Sequence, residues 1–342
     1  SSGIIFDLGP HRLHSDNTDV NQFVQNVLNE DIISIRRNSQ LYLFDRYIPW
    51  PVTLKSVLSL PPLSLMRTSL DLLMPQHAKD ESFESYIIES YGRTLYEVFF
   101  KPYTERFLGH PCNEIHRDWA TTGIDRATID KKVNTSSLFA LAKSILFSKN
   151  PDTRFTYPKS GGIGRFCETL AAGIEHGGGR ILTSSHVTRF VPGSANQIAA
   201  VITASGEEIP VYHIFWSGSL TDLREVGEAP EDLPRLHYLS TVFFNYTTRH
   251  RIEQGFQWCY FGGRDSAVDR VTVPRLFNPA CIPEEKEGLC VEISAPRDSE
   301  FWRNPGPRNS VIEPFLLRAN LLRSLSDVET CSIERVRETY PL

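Results

Sequence analysis

Phe6-Asp7-Leu8-Gly9-Pro10-His11-Arg12-Leu13-His14 is the stretch on which the reading of this chain turns. The apolar run over 3–8 predicts a strand, and Gly9-Pro10 predicts where it stops. Glycine has no Cβ, so the backbone at Gly9 can lie close against a flat ligand. Arg12, just behind it, can supply positive charge where a ligand becomes electron-rich. On residue chemistry alone, a surface turn carrying His11, Arg12 and His14 is the plainer reading. A metal is the other use of two histidines, but no further ligand-type residues cluster with them in sequence.

Downstream, Asp16 to Leu28 predicts a helix capped near Asp16 or Asn17. Ser34 to Leu43 predicts a β-hairpin with Arg37-Asn38-Ser39 at its turn. From Thr53 to Ser148 the spacing is mostly helical, with helices over Ser82–Tyr91, Arg93–Phe100 and Ser136–Phe147 and a glycine stop at Gly92. At Phe155 the texture changes to an extended segment and the glycine turn Gly161-Gly162-Ile163-Gly164. The helix Arg165–His176 follows, with Phe166, Leu170 and Ile174 on one face, and Gly177-Gly178-Gly179 ends it. Short strands are expected over Arg180–Thr183 and His186–Val191, then a hairpin around Ser205-Gly206. A buried strand over His213–Ser217 and a helix from Ser219 complete this block. Strands are then expected over Leu239–Tyr246, Gln257–Phe261, Asp269–Val273 and Gly288–Ser294, and a helix over Ser310–Leu325.

Two stretches carry further chemical signals. The glycine turn at Gly162 feeds a helix, which is where phosphate can bind. Read as G-x-G-x-x-G, however, it meets Cys167 at the last position, and no acid closes the next strand. Close packing of turn and helix is the plain reading. The aromatic-rich stretch from Ser90 to Pro111 reads, taken alone, as core.

Composition narrows the classes. With 342 residues, 40% hydrophobic and 23% charged, the chain is long enough for two domains around a substantial core. A formal net charge of -5 lacks the basic face that nucleic acid requires. Six cysteines without C-x-x-C pairs or zinc spacing predict reduced thiols and a cytoplasmic setting. The most apolar stretch, Ile48 to Pro75, is broken by Pro49, Pro51, Pro61 and Pro62, so a spanning helix is not expected. Helices covering a core or pocket are the favoured reading, and a membrane-facing surface is the alternative. No sequence signal fixes an oligomeric state.

Three motifs occur in order: Phe6-Asp7-x-Gly9-Pro10-His11-Arg12, then Gly92-x-x-Leu95-Tyr96-x-x-Phe99-Phe100-x-x-Tyr103-Thr104-x-x-x-x-Gly109-x-Pro111, then Tyr157-Pro158-x-x-Gly161-Gly162-Ile163-Gly164-x-Phe166. The ordered set, with the later Trp258-x-Tyr260, Arg270 and Val291-Glu292, resembles the FAD-dependent amine-oxidase superfamily. It is similar to the protoporphyrinogen-oxidase-like and UDP-galactopyranose-mutase-like branch. The resemblance implies an α/β fold: an incomplete Rossmann-like FAD-binding domain interleaved with a helical and mixed-sheet substrate domain. FAD-domain segments would cover 1–48 and 151–232, and substrate-domain segments 49–150 and 233–342.

The same resemblance places Gly9, Pro10, His11 and Arg12 at the isoalloxazine ring and Val187 at the adenine end. Ile214 to Gly218 would be a strand leading to a cofactor-side turn. Tyr260, Arg270, Arg275 and Tyr340 are the substrate candidates. Tyr340-Pro341 would precede the last flavin motif. The chain opens without the G-x-G-x-x-G unit and ends before that motif, so the expectation is a fragment or shortened product with poor or absent FAD affinity by itself. The implied activity is hydride transfer from a small organic substrate to flavin. The alternatives are a mutase acting on a nucleotide sugar and a cofactor-free remnant. Arg12, where the mutase-like motif has an apolar residue, favours the oxidoreductase. No catalytic residue is assigned.

Overall fold

The computed structural model describes residues 3–50, 56, 58–74, 77, 79–120, 154–194, 197–227 and 237–341. Three sheets organise them. β1 (Ile32–Arg36) and β4 (Arg154–Pro158) form an antiparallel pair, and β5 (Val187–Pro192), β6 (Ile198–Thr203) and β7 (Glu208–Pro210) form an antiparallel meander. The largest sheet joins β2 (Ser39–Leu43) and β3 (Arg46–Trp50) to β8 (Tyr238–Thr248), β9 (Trp258–Phe261), β10 (Arg270–Thr272), β11 (Glu287–Pro296) and β12 (Val328–Pro341). Its order is β12-β8-β11-β10-β9-β2-β3, and β2 runs parallel to β9. The expected boundary at 48/49 falls inside β3.

Several helices follow their sequence signals. α1 (Thr18–Leu28) starts where Asn17 Oδ1 accepts the Asp19 amide at 2.8 Å. α2 (Pro62–Leu73) has Pro62 at its first turn, where a missing N–H costs nothing. It turns Leu65 to the core and leaves Leu63, Met66 and Leu70 exposed. α3 (Phe83–Tyr91) is capped by Ser82 and stopped by Gly92 at φ +85°. The chain continues through Arg93–Leu95 and a π-helical turn, Tyr96–Phe100, into α4 (Lys101–Leu108). α5 (Gly164–His176) ends at Gly177, and α6 (Leu220–Val226) is capped by Ser219. The helix expected over Ser136–Phe147 lies outside the described residues.

The structure corrects five sequence expectations. Residues 3–8 form no strand; the Ile5 amide donates to the Cys281 carbonyl at 2.8 Å, and the Asp7 carbonyl accepts the Gly9 amide at 2.8 Å. Ser34–Leu43 is not a hairpin, since β1 and β2 lie in different sheets. Asn38 instead exchanges bonds with Gln257, its amide donating to Oε1 at 2.5 Å and its carbonyl accepting the Gln257 amide at 2.8 Å. The real hairpin is β2–β3, through Phe44-Asp45, both at positive φ as a type I′ turn requires. Arg180–Thr183 and His213–Ser217 are not strands and are not buried: Phe215 is 97% exposed. A strand needs a ladder partner, and neither segment has one among the described residues. The helix expected to reach Leu325 is α7 (Asn309–Arg318), which ends as Asn320 turns to positive φ. β12, absent from the sequence expectation, holds Tyr340-Pro341.

Strand pleating divides the largest sheet into two faces. Tyr42, Cys259, Phe261, Val271, Leu289, Val291 and Ile293 pack with Ile312, Phe315 and Leu316 of α7. Leu41 and Leu43 turn the other way, toward Phe83, Ile87, Tyr96 and Phe99 of the helical block. Successive side chains on a strand alternate sides, so the residues between the α7-facing ones must emerge on the helical-block face.

Candidate functional site

That alternation sets a polar row on the helical-block face. Tyr260 on β9 stands opposite Arg270 on β10, and Arg270 stands opposite Glu292 on β11. Arg270 holds Glu292 with both arms, Nε to Oε1 at 2.7 Å and Nη2 to Oε2 at 2.5 Å. Its guanidinium also lies over the Tyr260 ring, 5.8 Å from the centroid. Burial works against the charge on Arg270, but the Glu292 carboxylate outweighs it and raises the arginine's pKa.

The Gly9 turn rests on this row. Gly9 has φ +96°, and a Cβ placed there would meet Glu292 Oε1 at 3.1 Å. Any other residue would be strained by the backbone and crowded by the carboxylate. Leu8, Pro10 and His11 line a cavity of about 340 Å³, with Arg270, Glu292, Glu338 and Tyr340 among its other walls. Tyr340 reaches it from the end of β12, braced edge-on by the rings of Phe107 and Trp119 at 5.6 and 6.0 Å. Phe107 and Trp119 also line a larger cavity of about 970 Å³, with Arg106, Tyr238 and Arg297.

Asp7 anchors the turn from behind. Its carboxylate accepts the Tyr157 hydroxyl at 2.6 Å and the Ile163 amide at 2.9 Å. A Cβ at Gly162 would collide with Asp7 Oδ1 and Ile5. Burial raises the Asp7 pKa, and the two hydrogen bonds oppose that rise. Asp7 therefore occupies the start of α5 that a phosphate would need, and the Gly162 turn serves packing.

Beside the row, Trp258 on β9 carries two cations. The Arg12 and Arg37 guanidinium carbons lie 5.3 and 5.2 Å from its ring centroid. Trp258 is itself 3% exposed and stacks on Phe277. Burial lowers the Arg12 pKa; burial and the Arg12 charge together bring Arg37 down to about 10.

No family model and no curated protein sequence matches the chain. Solved structures do match. One is a reduced UDP-galactopyranose mutase, at TM-score 0.81 and 17% identity, covering 99% of this chain and 74% of that one. Another is a protoporphyrinogen-oxidase-like protein from Exiguobacterium sp. 255-15, at TM-score 0.72 and 12% identity, covering 100% and 77%. A third is the cyclohexylamine oxidase of Brevibacterium oxydans IH-35A, at TM-score 0.56 and 14% identity, covering 97% and 73%. The chain shares the fold of these three structures.

Within this fold, the site residues divide by location. Gly9, Pro10 and His11 meet Arg270 and Tyr340 at the smaller cavity, with Tyr260 beside Arg270 and Arg12 on Trp258. Val187 begins β5, opposite Thr203, and Gly218 is exposed beside the Trp216 ring; neither lines that cavity. Arg275 also stands apart. It donates to the carbonyls of Pro283 and Lys286, and its Nε lies 3.3 Å from Glu287, an ion pair without hydrogen-bond alignment. The ring end of FAD fits what is present: a glycine without a side chain, the Pro10-His11 wall, and positive charge from Arg12 just behind it. Arg37 escaped the sequence reading because it joins Trp258 only through the parallel β2–β9 register, which sets Ser39 opposite Trp258.

Proposed function

We propose that this protein is a FAD-dependent oxidoreductase that takes a hydride from an organic substrate at the cavity beside Gly9, Pro10 and His11. FAD, when bound, supplies the hydride acceptor. One observation supports this reading above the others: the positive-φ turn at Gly9 is packed on the Arg270–Glu292 pair and opens onto the cavity of about 340 Å³. The chain's own residues orient and polarise. Gly9 to His11 provide a flat wall, while Arg12 favours negative charge developing beside it. Tyr340 bounds the space left for substrate, and the Tyr260 ring backs the Arg270 guanidinium. On resemblance, Val187 is assigned to the adenine end of the cofactor and Gly218 to a cofactor-side turn. The test is anaerobic: protein loaded with FAD should lose its flavin absorbance on adding an oxidisable donor, with no added reductant. Bleaching that requires dithionite, whatever the donor, would contradict it.

A second reading, a mutase acting on a nucleotide sugar, draws on the meeting of Tyr260, Arg270 and Tyr340, the residue types a sugar diphosphate would need. Arg270 is already held by Glu292, which weakens this reading. Turnover of a UDP-sugar only after flavin reduction would favour it.

A further inference from the structure

Resting on the oxidoreductase reading, we propose that the larger cavity, about 970 Å³, holds a neutral aromatic group of the same substrate whose reacting bond lies in the smaller one, with Tyr340 as the ridge between the two half-sites.

Volume calls for a second space. The smaller cavity, about 340 Å³, lies near the lower end of small-molecule pockets, and the flavin ring end assigned to its Gly9–His11 wall would take part of it. The larger cavity lies near the upper end. The two share one boundary. Tyr340 lines the smaller cavity and stands opposite Leu239, which lines the larger, in strand register. Its ring meets Phe107 and Trp119, also in the wall of the larger cavity, at 5.6 and 6.0 Å. A second contact crosses the same boundary: Arg297, in the larger cavity's wall, donates from Nη1 to Glu338, in the smaller cavity's wall, at 3.4 Å.

The chemistry of the wall selects the group. Phe107 and Trp119 lie 6.4 Å apart with their planes at 35°, and Tyr103 stacks on Phe107 at 5.8 Å. Ile115, Tyr238, Leu239 and Pro296 add apolar surface. Packed against one another, the rings are pre-set, so a flat apolar group gains burial and ring contact with little ordering of the wall. The charges beside them are engaged. Arg106 donates to Asp269 and to the Gly263 carbonyl, Arg297 is held by Glu338 and Asp298, and His116 lies 3.3 Å from Asp118. His110, Glu114 and His237 are exposed to solvent. An entering ion would have to break one of these partnerships or shed its own water, whereas a neutral ring loses little on entry.

Calorimetric titration tests this with 2-naphthol, n-butanol and 4-(2-naphthyl)butan-1-ol, which joins the two, on protein with and without FAD. In wild type, 2-naphthol should bind at least about tenfold more tightly than n-butanol. Trp119→Ala and Tyr238→Ala, their folding checked by circular dichroism, should each weaken 2-naphthol about fivefold or more. The joined probe should bind about tenfold more tightly than 2-naphthol. Thr339→Trp, which fills the smaller cavity from its own wall, should abolish that gain and leave 2-naphthol within about twofold of wild type. Equal 2-naphthol affinity in wild type, Trp119→Ala and Tyr238→Ala would overturn the proposal. So would a joined probe that gains nothing over 2-naphthol, or a gain that survives Thr339→Trp. A protein that binds the probes as expected but whose flavin no donor bleaches keeps the paired cavities and removes the oxidoreductase reading. A protein bleached by a donor, yet without probe binding that depends on Trp119 or Tyr238, does the reverse.

Discussion

Arg270 Nε donates to Glu292 Oε1 at 2.7 Å across adjacent strands, and Gly9 is packed against that same carboxylate. One buried ion pair thus forms the floor under the turn that defines the site. Its geometry follows from strand register, because Arg270 and Glu292 are directly opposed on β10 and β11.

Removing one partner should be far worse than removing both. Glu292→Ala leaves Arg270 charged and buried, and is expected to cost about 3–5 kcal/mol. The double variant Glu292→Ala/Arg270→Met should lose clearly less than the two single losses summed. Urea denaturation midpoints measure this, and strictly additive losses would argue against the pair.

Asp7 should leave a pH signature. Its folded pKa is raised by burial, so the folded state holds more protons than the unfolded state between the two values. Its contribution to stability is therefore greatest below the unfolded pKa, and falls as pH rises through the folded one. Asp7→Asn should flatten that part of the stability–pH profile. Asp7→Ala should cost about 1–3 kcal/mol, because the Tyr157 hydroxyl and Ile163 amide lose their acceptor. An unchanged profile in Asp7→Asn would show that other groups carry the pH dependence.

Arg275 is expected to act on stability rather than on ligand binding. Arg275→Met strands Glu287, whose side chain is 3% exposed, at a cost of about 3–5 kcal/mol. Burial already raises the Glu287 pKa, and losing the arginine raises it further, so protonation removes part of the cost. The destabilisation should be smaller at pH 5 than at pH 8 in thermal melts, with FAD affinity unchanged. A large change in FAD affinity in a folded variant would place Arg275 at the site instead.

What the sequence made legible depended on how local each signal is. Asn17, Ser82, Ser219 and the flanking glycines mark helix ends by chemistry within a few residues, and those helices are present. The strands from Leu239 to Ser294 were legible from their apolar, β-branched runs. The Asn38 turn was misread because its partner, Gln257, lies 219 residues away. Over β12 the sequence Val-Glu-Thr-Cys-Ser-Ile-Glu-Arg-Val-Arg mixes charge into an edge strand, whose outer row faces no core. The sequence motifs point to Gly9, Pro10, His11, Arg270 and Tyr340, which line one cavity or touch its wall. No local signal points to Arg37 or to the bracing pair Phe107–Trp119, since their positions arise from pairing between distant strands and from ring contacts across elements.

The most direct measurement is a FAD titration of the wild-type protein and Gly9→Val, following flavin fluorescence and visible absorbance. The account expects wild type to bind FAD and Gly9→Val, though folded, to bind it at least tenfold more weakly, because the new side chain is driven into Glu292 and the ring's wall. Equal FAD affinity in the two proteins would contradict it.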